Sequence, residues 1–326
     1  MSSSSVRPGT AATIVVVGSA NYDVQVQVER FPAPGETVLG RSSCFDIGGK
    51  GANQAVAVRR AGGDVRLVAA VGDDARGAEV LRWLDALDVD ASTVRTVAGA
   101  ATGTAHIMVD ESGENLIAVA PGANSCLVPG DVDEALELIG DAGVVVVQAE
   151  ISMGTIAHTI AVARRRGAQT IVNLAPATRS RVEGLDGADW LVVNEVEFAQ
   201  LYAISTTTST QEIVSTLAGK LPARRLVVTL GSIGALLMTD EAPTLVRAPR
   251  IHDVVDTTGA GDAFVGVLAA GVAIGLSPLE AVRWAVDSSS QVVSRRGAAR
   301  SYPDFIRGET AATDREVDHA SSSDQI

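Results

Sequence analysis

Two stretches near the start of the chain, Thr13-Ile-Val-Val-Val17 and Asp23-Val-Gln-Val-Gln-Val-Glu29, carry the two patterns from which the fold follows. The first is an unbroken β-branched run, which is typical of a strand whose two faces are both covered. The second alternates strictly between apolar and polar residues, so it predicts a strand with one face covered and one face exposed or partnered. The chain is therefore expected to build two different sheets.

The first pattern recurs along the chain, in the runs 66–71, 143–147, 170–174, 190–193 and 225–229. Between these runs, apolar residues repeat at helical spacing, as do Leu81, Leu84 and Leu87. Strands that alternate with helices predict a mostly parallel central sheet covered on both faces, which is a three-layer α/β/α fold.

The second pattern returns in the segment 104–119, which is typical of a β-hairpin. We predict one domain over residues 13–308, with a small lid sheet formed by about 22–46 and 101–119. The spare apolar face of this lid is expected to pair two copies of the chain as a homodimer. The terminal segments 1–12 and 309–326 lack periodicity and are expected to be disordered.

Composition excludes several classes of protein. With 26 Lys and Arg against 39 Asp and Glu, the net charge of −13 argues against binding to nucleic acid. No apolar run is long enough to cross a membrane. Cys44 and Cys126 form neither a CxxC motif nor a Cys/His cluster, so we expect no disulfide framework and a reducing, cytoplasmic location.

The stretch Asp256-Thr-Thr-Gly-Ala-Gly-Asp262 leads directly into an apolar helix. Its three small residues, Gly259, Ala260 and Gly261, allow N–H groups to face an anion at the helix start. A carboxylate at that place would repel a bound phosphate, but it could take a proton from a hydroxyl that attacks phosphorus. The competing interpretation is a simple Asp cap on a buried helix.

Other polar residues follow the ends of the predicted strands, where open α/β sheets bind ligands. Asn21 and Asp23 follow the first strand, and Glu150 follows the 143–147 run. A second glycine-rich stretch, 46–58, places Lys50 and Asn53 at the start of another helix. These groups offer the donors and acceptors that a polyol requires.

Taken together, these motifs resemble those of the ribokinase-like (PfkB) sugar kinases, in order and from about residue 14 to 302. The resemblance implies a three-layer α/β/α fold with a lid sheet and an ATP-dependent phosphotransferase that acts on an alcohol group. Phe31-Pro-Ala-Pro-Gly-Glu36 and the Gly-Gly-Lys-Gly-Ala-Asn-Gln motif favour D-ribose, phosphorylated on its 5-hydroxyl, as the substrate. The resemblance also implies Mg²⁺ as cofactor and K⁺ as activating cation.

The resemblance implies roles for individual residues. Asp262 would be the catalytic base, with an anion hole at Gly259, Ala260 and Gly261. The sugar would be held by Asn21, Asp23, Gly49, Lys50, Asn53, Glu150 and Asp262. ATP would be bordered by Asn194, Thr229, Gly231, Ser232 and Gly261. Glu197 would hold Mg²⁺, through water. Potassium would lie at Asp256, Thr258, Val292, Arg295, Gly297 and Ser301, mostly on backbone oxygens.

Three alternatives stay open at this point. One is a kinase of the same family for another sugar or a nucleoside, which would need an aromatic slot from residues such as Tyr22 and Phe31. Another is a non-catalytic, sugar-binding regulatory protein on the same scaffold, although the presence of Asp262 argues against it. A dehydrogenase is disfavoured because no GxGxxG follows the first strand. The segment Trp284–Ser290 also departs from the family pattern, which leaves the adenine contact unassigned.

Overall fold

The computed structural model describes residues 12–177, 182–205, 209–217, 221–307 and 318–319. The strands are β1 (Ile14–Val17), β2 (Asn21–Gln27), β3 (Ser42–Gly48), β4 (Val65–Gly72), β5 (Val94–Val97), β6 (Gly103–Val109), β7 (Asn115–Ala120), β8 (Val144–Gln148), β9 (Gln169–Asn173), β10 (Trp190–Asn194), β11 (Arg225–Thr229), β12 (Gly234–Met238), β13 (Thr244–Arg247) and β14 (Asp318–His319). The helices are α1 (Lys50–Arg60), α2 (Ala75–Ala86), α3 (Pro129–Ile139), α4 (Met153–Arg165), α5 (Glu195–Tyr202), α6 (Thr210–Leu217), α7 (Ala260–Ala273) and α8 (Pro278–Val292).

The large sheet has the strand order β14-β13-β12-β11-β10-β9-β8-β1-β4-β5. Strand β1 lies between β8 and β4 and pairs in parallel with both. The sheet is parallel from β5 to β11, and the remaining three strands extend it in antiparallel fashion. The predicted mostly parallel central sheet is therefore confirmed.

The alternating side chains of β1 show why its sequence is apolar throughout. Ile14 and Val16 pack into a core beneath α1, α2, α7 and α8, whereas Val15 and Val17 pack into a second core beneath α3, α4, α5 and α6. Helices therefore cover both faces of the sheet, and each strand residue is buried on one side or the other. The three-layer α/β/α arrangement is confirmed.

A second, smaller sheet has the order β3-β2-β6-β7. Strand β2 runs antiparallel to β3 and parallel to β6. Its outer strand exposes about half of the surface of Leu116, Ile117 and Val119. The predicted second, smaller sheet is therefore confirmed.

The predicted tails, 1–12 and 309–326, lie outside the described residues except for residue 12 and the pair 318–319. That pair forms β14 and aligns with Thr244 and Leu245 of β13. In the described part of the chain, no helix has the length and apolar character that a membrane span needs.

Candidate active site

Three helices begin around one cleft at the carboxyl edge of the large sheet. α1 begins at Lys50, α5 at Glu195 and α7 at Ala260. The cleft has a volume of about 120 Å³, and its lining includes Lys50, Asn194, Glu197, Thr229, Gly261 and Asp262. The free N–H groups and the positive dipole ends of these helices favour an anionic ligand.

Asp262 lies in the first turn of α7 with only 7% of its surface exposed. One carboxylate oxygen accepts a hydrogen bond from Asn53 Nδ2 at 2.9 Å, and the other accepts from Gln54 Nε2 at 2.9 Å. The carboxylate is held between α1 and α7 and lines the cleft, so it does not point into the aliphatic core.

The turn before α7 leaves backbone donors free beside this carboxylate. Gly259 has φ 77°, and its carbonyl accepts from the Tyr302 hydroxyl at 2.6 Å. The N–H of Ala260 donates to the Thr257 carbonyl at 3.2 Å. By contrast, the N–H groups of Gly259, Gly261 and Asp262 donate to no acceptor in the described part of the chain. The free donors around this turn are thus those of residues 259, 261 and 262.

A chain of buried amides fixes the orientation of Gln54. Gln148 Nε2 donates to Gln54 Oε1 at 2.6 Å, and Gln54 Nε2 also donates to Asn173 Oδ1 at 3.0 Å. Because the amide oxygen of Gln54 is occupied by Gln148, its nitrogen must face Asp262. Gln54 is fully buried, so a loss of these bonds would leave polar groups unpaired.

Next to Asp262 lies a set of polar groups with unused acceptors. Asp23 Oδ1 and Asn53 Oδ1 are buried and receive no hydrogen bond from any residue that the structure describes. Burial, together with the negative charges of Glu150, Asp46 and Asp262, raises the pKa of Asp23 to about 7. A Cβ on Gly48 would lie 2.0 Å from Asp23 Oδ2, so only glycine fits there. A ligand with several hydroxyl donors would satisfy these acceptors.

Glu150 and Asn21 are fixed by their neighbours. Glu150 Oε2 accepts from the Ser19 hydroxyl at 2.5 Å and from the N–H of Lys50 at 3.0 Å. Asn21 Oδ1 accepts from Asn124 Nδ2 at 2.7 Å. Both side chains are thereby held at the carboxyl ends of strands, as the sequence predicted.

The cleft also contains a cation and a second carboxylate. The negative charges of Asp262, Glu150 and Glu197 raise the pKa of Lys50 above its usual value, so its ammonium stays protonated. Glu197 and Asn194 cap α5 reciprocally, through two N–H···O bonds of 2.8 Å. Burial raises the pKa of Glu197. A base, a cation and free N–H groups around one space are the components of phosphoryl transfer to an alcohol.

The sequence pattern of "pfkB family carbohydrate kinase" matches residues 11–304. The chain belongs to the pfkB family of carbohydrate kinases. This kinase is 34% identical over 304 residues to the ribokinase of Schizosaccharomyces pombe. The match covers 90% of this chain and 95% of that protein.

A second relative of the kinase is the bifunctional ribokinase/ribose-5-phosphate isomerase A of Fructilactobacillus sanfranciscensis, 35% identical over 293 residues. The match covers 89% of this chain but spans only 54% of that relative's length. Among solved structures, Arabidopsis thaliana ribokinase complexed with ribose and ATP superposes with a TM-score of 0.83 at 34% identity, covering 91% of this chain and 97% of that one.

Most of the residues expected at the sugar and ATP sites of the kinase lie around Asp262. Lys50 lines the cleft with Glu197 and Thr229, and the negative charges of Asp262 and Glu150 also act on its ammonium. Its expected contact with the sugar stays a prediction. Gly231 and Ser232 lie in the short turn after β11, where Gly231 has φ 55° and Ser232 is exposed.

The residues expected to bind potassium surround the turn before α7. The Asp256 carboxylate accepts from the N–H of Thr258 and from the N–H of Gly297, each at 2.9 Å. The Ser301 hydroxyl donates to the Gly297 carbonyl at 2.9 Å. The carbonyls of Val292 and Ser301 accept from the backbone N–H and the guanidinium of Arg295, at 2.9 and 3.4 Å. These oxygens retain second lone pairs, which is the donor set that a weakly hydrated monovalent ion can use.

Sequence reasoning missed two residues of the site, Gln54 and Asn173. Gln54 follows Asn53 within the glycine-rich motif, and Asn173 ends β9 at the same sheet edge as the other polar residues. Their position at a helix start and at a strand end was the available signal. However, the two residues lie 119 apart in the sequence, and Gln54 lies 208 residues from Asp262.

Proposed function

We propose that this chain is a ribokinase that transfers the γ-phosphoryl group of ATP to the 5-hydroxyl of D-ribose. One observation carries the proposal: Asp262 is held at the free N–H end of α7, beside the unused acceptors of Asp23 and Asn53. The similarity to ribokinases, among them one solved with ribose and ATP, supports ribose as the sugar.

Asp262 is proposed to take the proton of the 5-hydroxyl as the oxygen attacks phosphorus. Asn53 and Gln54 hold its two oxygens, so the carboxylate needs no reorientation when the alcohol arrives. The N–H groups of Gly261 and Asp262, together with the Lys50 ammonium, would stabilise the negative charge that develops on the transferred group. Each of these donors is in place before the substrate binds.

The sugar is proposed to bind between the small sheet and α1. Asp23 and Asn53 would accept hydrogen bonds from hydroxyl groups, since their buried oxygens otherwise lack donors among the described residues. Closure of the small sheet over the sugar would exclude water, so that the phosphoryl group reaches the sugar alcohol instead of solvent.

The residues around the cleft fit a magnesium ion. Mg²⁺ binds through one or two carboxylates plus substrate phosphates and keeps several waters. Glu197 supplies such a carboxylate, and its burial in the cleft fits a partner of positive charge. When bound with ATP, the ion would neutralise charge on the phosphate oxygens. Potassium would use Asp256 and the carbonyls of the turns that flank Gly259.

The open face of the small sheet is proposed to pair two copies of the chain. Ile117 and Val119 share one face of β7 and are each about half exposed, so this face offers apolar surface to a second copy. We also propose a cytoplasmic location, because both cysteines are free thiols.

A coupled ATPase assay with ribose, deoxyribose, fructose and adenosine, with and without potassium, tests the proposal. Ribose is expected to give the highest kcat/KM and potassium to raise it. Turnover of another sugar without ribose would overturn the substrate but keep the chemistry. Turnover of adenosine alone would point to a nucleoside kinase. That outcome is disfavoured because Tyr22 stacks on Trp83 and is not available to a base.

A further inference from the structure

Four side chains form a continuous stack between the small sheet and the main body of the protein. The Arg76 guanidinium lies 5.6 Å from the centroid of the Tyr22 ring, which stacks on Trp83 at 5.4 Å and 15°. The guanidinium of Arg300 lies 5.6 Å from the Trp83 ring. We call these four residues the stacked ladder. A guanidinium group lies at each end of the ladder, and the two aromatic rings lie between them. Each contact in this arrangement is attractive.

The ladder joins the main body to three strands of the small sheet. Arg76 and Trp83 belong to α2, and Tyr22 belongs to β2. Arg76 Nη1 also donates to Thr104 Oγ1 of β6 at 3.2 Å. At the other end of the ladder, Arg300 Nε lies 3.7 Å from Asp46 Oδ1 of β3. Both terminal guanidinium groups thus reach the small sheet, and Trp83 supports its central strand.

The ladder ends next to the residues proposed to hold the sugar. Tyr22 lies between Asn21 and Asp23 on β2, and successive side chains on a strand point to opposite faces. Asp46 pairs directly with Asp23 across β2 and β3. Any movement of Tyr22 against α2 would therefore move Asn21 and Asp23 relative to Asp262, which is on α7.

Resting on the proposed function, we propose that Tyr22 and Trp83 are positioning residues for sugar binding: the stacked ladder holds the small sheet in place before the sugar arrives. Among the described residues, the ladder has no contact with those proposed to border ATP. Its loss should therefore weaken sugar binding and leave ATP binding and the chemical step unchanged. A purely structural role would instead lower stability without separating the two substrates.

The test compares Trp83→Leu with Trp83→Phe, which keeps an aromatic ring, and with Leu81→Ala, a change of partly buried apolar surface on the same helix. Trp83→Leu is expected to raise KM for ribose roughly threefold to tenfold. Values of kcat and of KM for ATP should stay within about twofold. Trp83→Phe should recover most of the ribose KM, and Leu81→Ala should not change it.

Hydrogen exchange on the sugar-free protein provides a readout that needs no turnover. The amides of β2 and β3 should exchange faster in Trp83→Leu than in wild type or Leu81→Ala. Unchanged exchange there, or an equal rise in ribose KM for Leu81→Ala, would overturn the proposal. Failure of the wild type to phosphorylate ribose would overturn the proposed function, while the exchange result would still decide the role of the ladder.

A second pair of variants tests the ladder without the loss of a large ring. Arg300→Gln is expected to raise KM for ribose about threefold, and Arg300→Lys to restore part of it. Arg82→Gln is the matched control, because Arg82 lies on α2 but pairs only with Glu79 of the same helix among the described residues. Equal ribose KM values in Arg300→Gln and Arg82→Gln would contradict the proposal.

Discussion

Two cavities of this protein lie at opposite edges of the same sheet, and the smaller one has the features of the active site. The cleft of about 120 Å³ lies where α1, α5 and α7 begin. The other cavity, of about 500 Å³, lies where helices end: its lining includes Ala61, Leu87 and Ile274, which follow the last residues of α1, α2 and α7.

The charged groups also distinguish the two cavities. In the larger one, arginines lie close to carboxylates, as Arg60 does to Asp304 at 3.2 Å and Arg59 to Asp88 at 3.9 Å. These cations also compensate the negative ends of the helices. In the smaller cleft, Asp262 faces free N–H groups and Lys50. The direction of the helices and the unsatisfied polar groups therefore identify the active site, whereas the volume of the cavities does not.

The largest expected difference between the cavities concerns their carboxylates. Asp262→Asn should lower kcat roughly 10²- to 10⁴-fold, because the variant cannot take the proton of the sugar hydroxyl. Calorimetry should show ribose binding largely intact. Asp304→Asn, the matched change in the larger cavity, should leave kcat within about twofold. A near-normal kcat in Asp262→Asn would contradict the role of this carboxylate.

Lysine and arginine give the next comparison. Lys50→Met should lower kcat roughly 10²-fold, because it removes a protonated ammonium that lines the cleft beside Asp262. Arg60→Met should change kcat by less than about twofold. Steady-state kinetics on the two variants decides whether the cations are equivalent. Equal losses would mean that both cavities take part in turnover.

Gln54→Leu sharpens the comparison within the smaller cleft. It leaves buried groups of Gln148, Asn173 and Asp262 without their partner, so we expect a loss of about 1–3 kcal/mol in the free energy of unfolding and roughly tenfold in kcat. Denaturant titration and initial rates measure the two effects. Gln211→Leu, an exposed change on α6, should alter neither.

Asp23 gives the last comparison, a dependence of sugar binding and of stability on pH. Sugar hydroxyls donate to the ionised carboxylate, so with a pKa of about 7 the KM for ribose should fall roughly tenfold between about pH 6 and pH 8. The free energy of unfolding should change in the opposite direction, because folded Asp23 keeps its proton from its ordinary pKa of 3.8 up to a pKa of about 7. The stability it contributes is present at low pH and lost as pH rises through about 7. Asp23→Asn should flatten both profiles.

The sequence predicted the features that depend on local pattern. The β-branched run of β1 and the alternation of 23–29 correctly indicated two kinds of sheet. The spacing of apolar residues along a strand depends on which of its faces are covered. The glycine-rich turn before Asp262 was recognisable because an anion site at a helix start requires small residues.

Features that depend on the meeting of distant segments were not predictable. Gln54 acquires its role only when α1 packs beside α7 and β9, and its bond to Asn173 joins residues 119 apart in the sequence. The three carboxylates that raise the pKa of Lys50, those of Asp262, Glu150 and Glu197, come together only in the folded chain. Likewise, nothing in the spacing of Tyr22, Trp83 and Arg300 indicated that they stack.

Hydrogen exchange of the protein with and without ribose plus a non-hydrolysable ATP analogue tests most directly which cavity is the site. The substrates should protect the amides of residues 21–23, 48–53 and 259–262, around the smaller cleft. Amides 59–62 and 304–307, which line the larger cavity, should exchange at unchanged rates. Protection of the second set without the first would contradict the assignment of the active site.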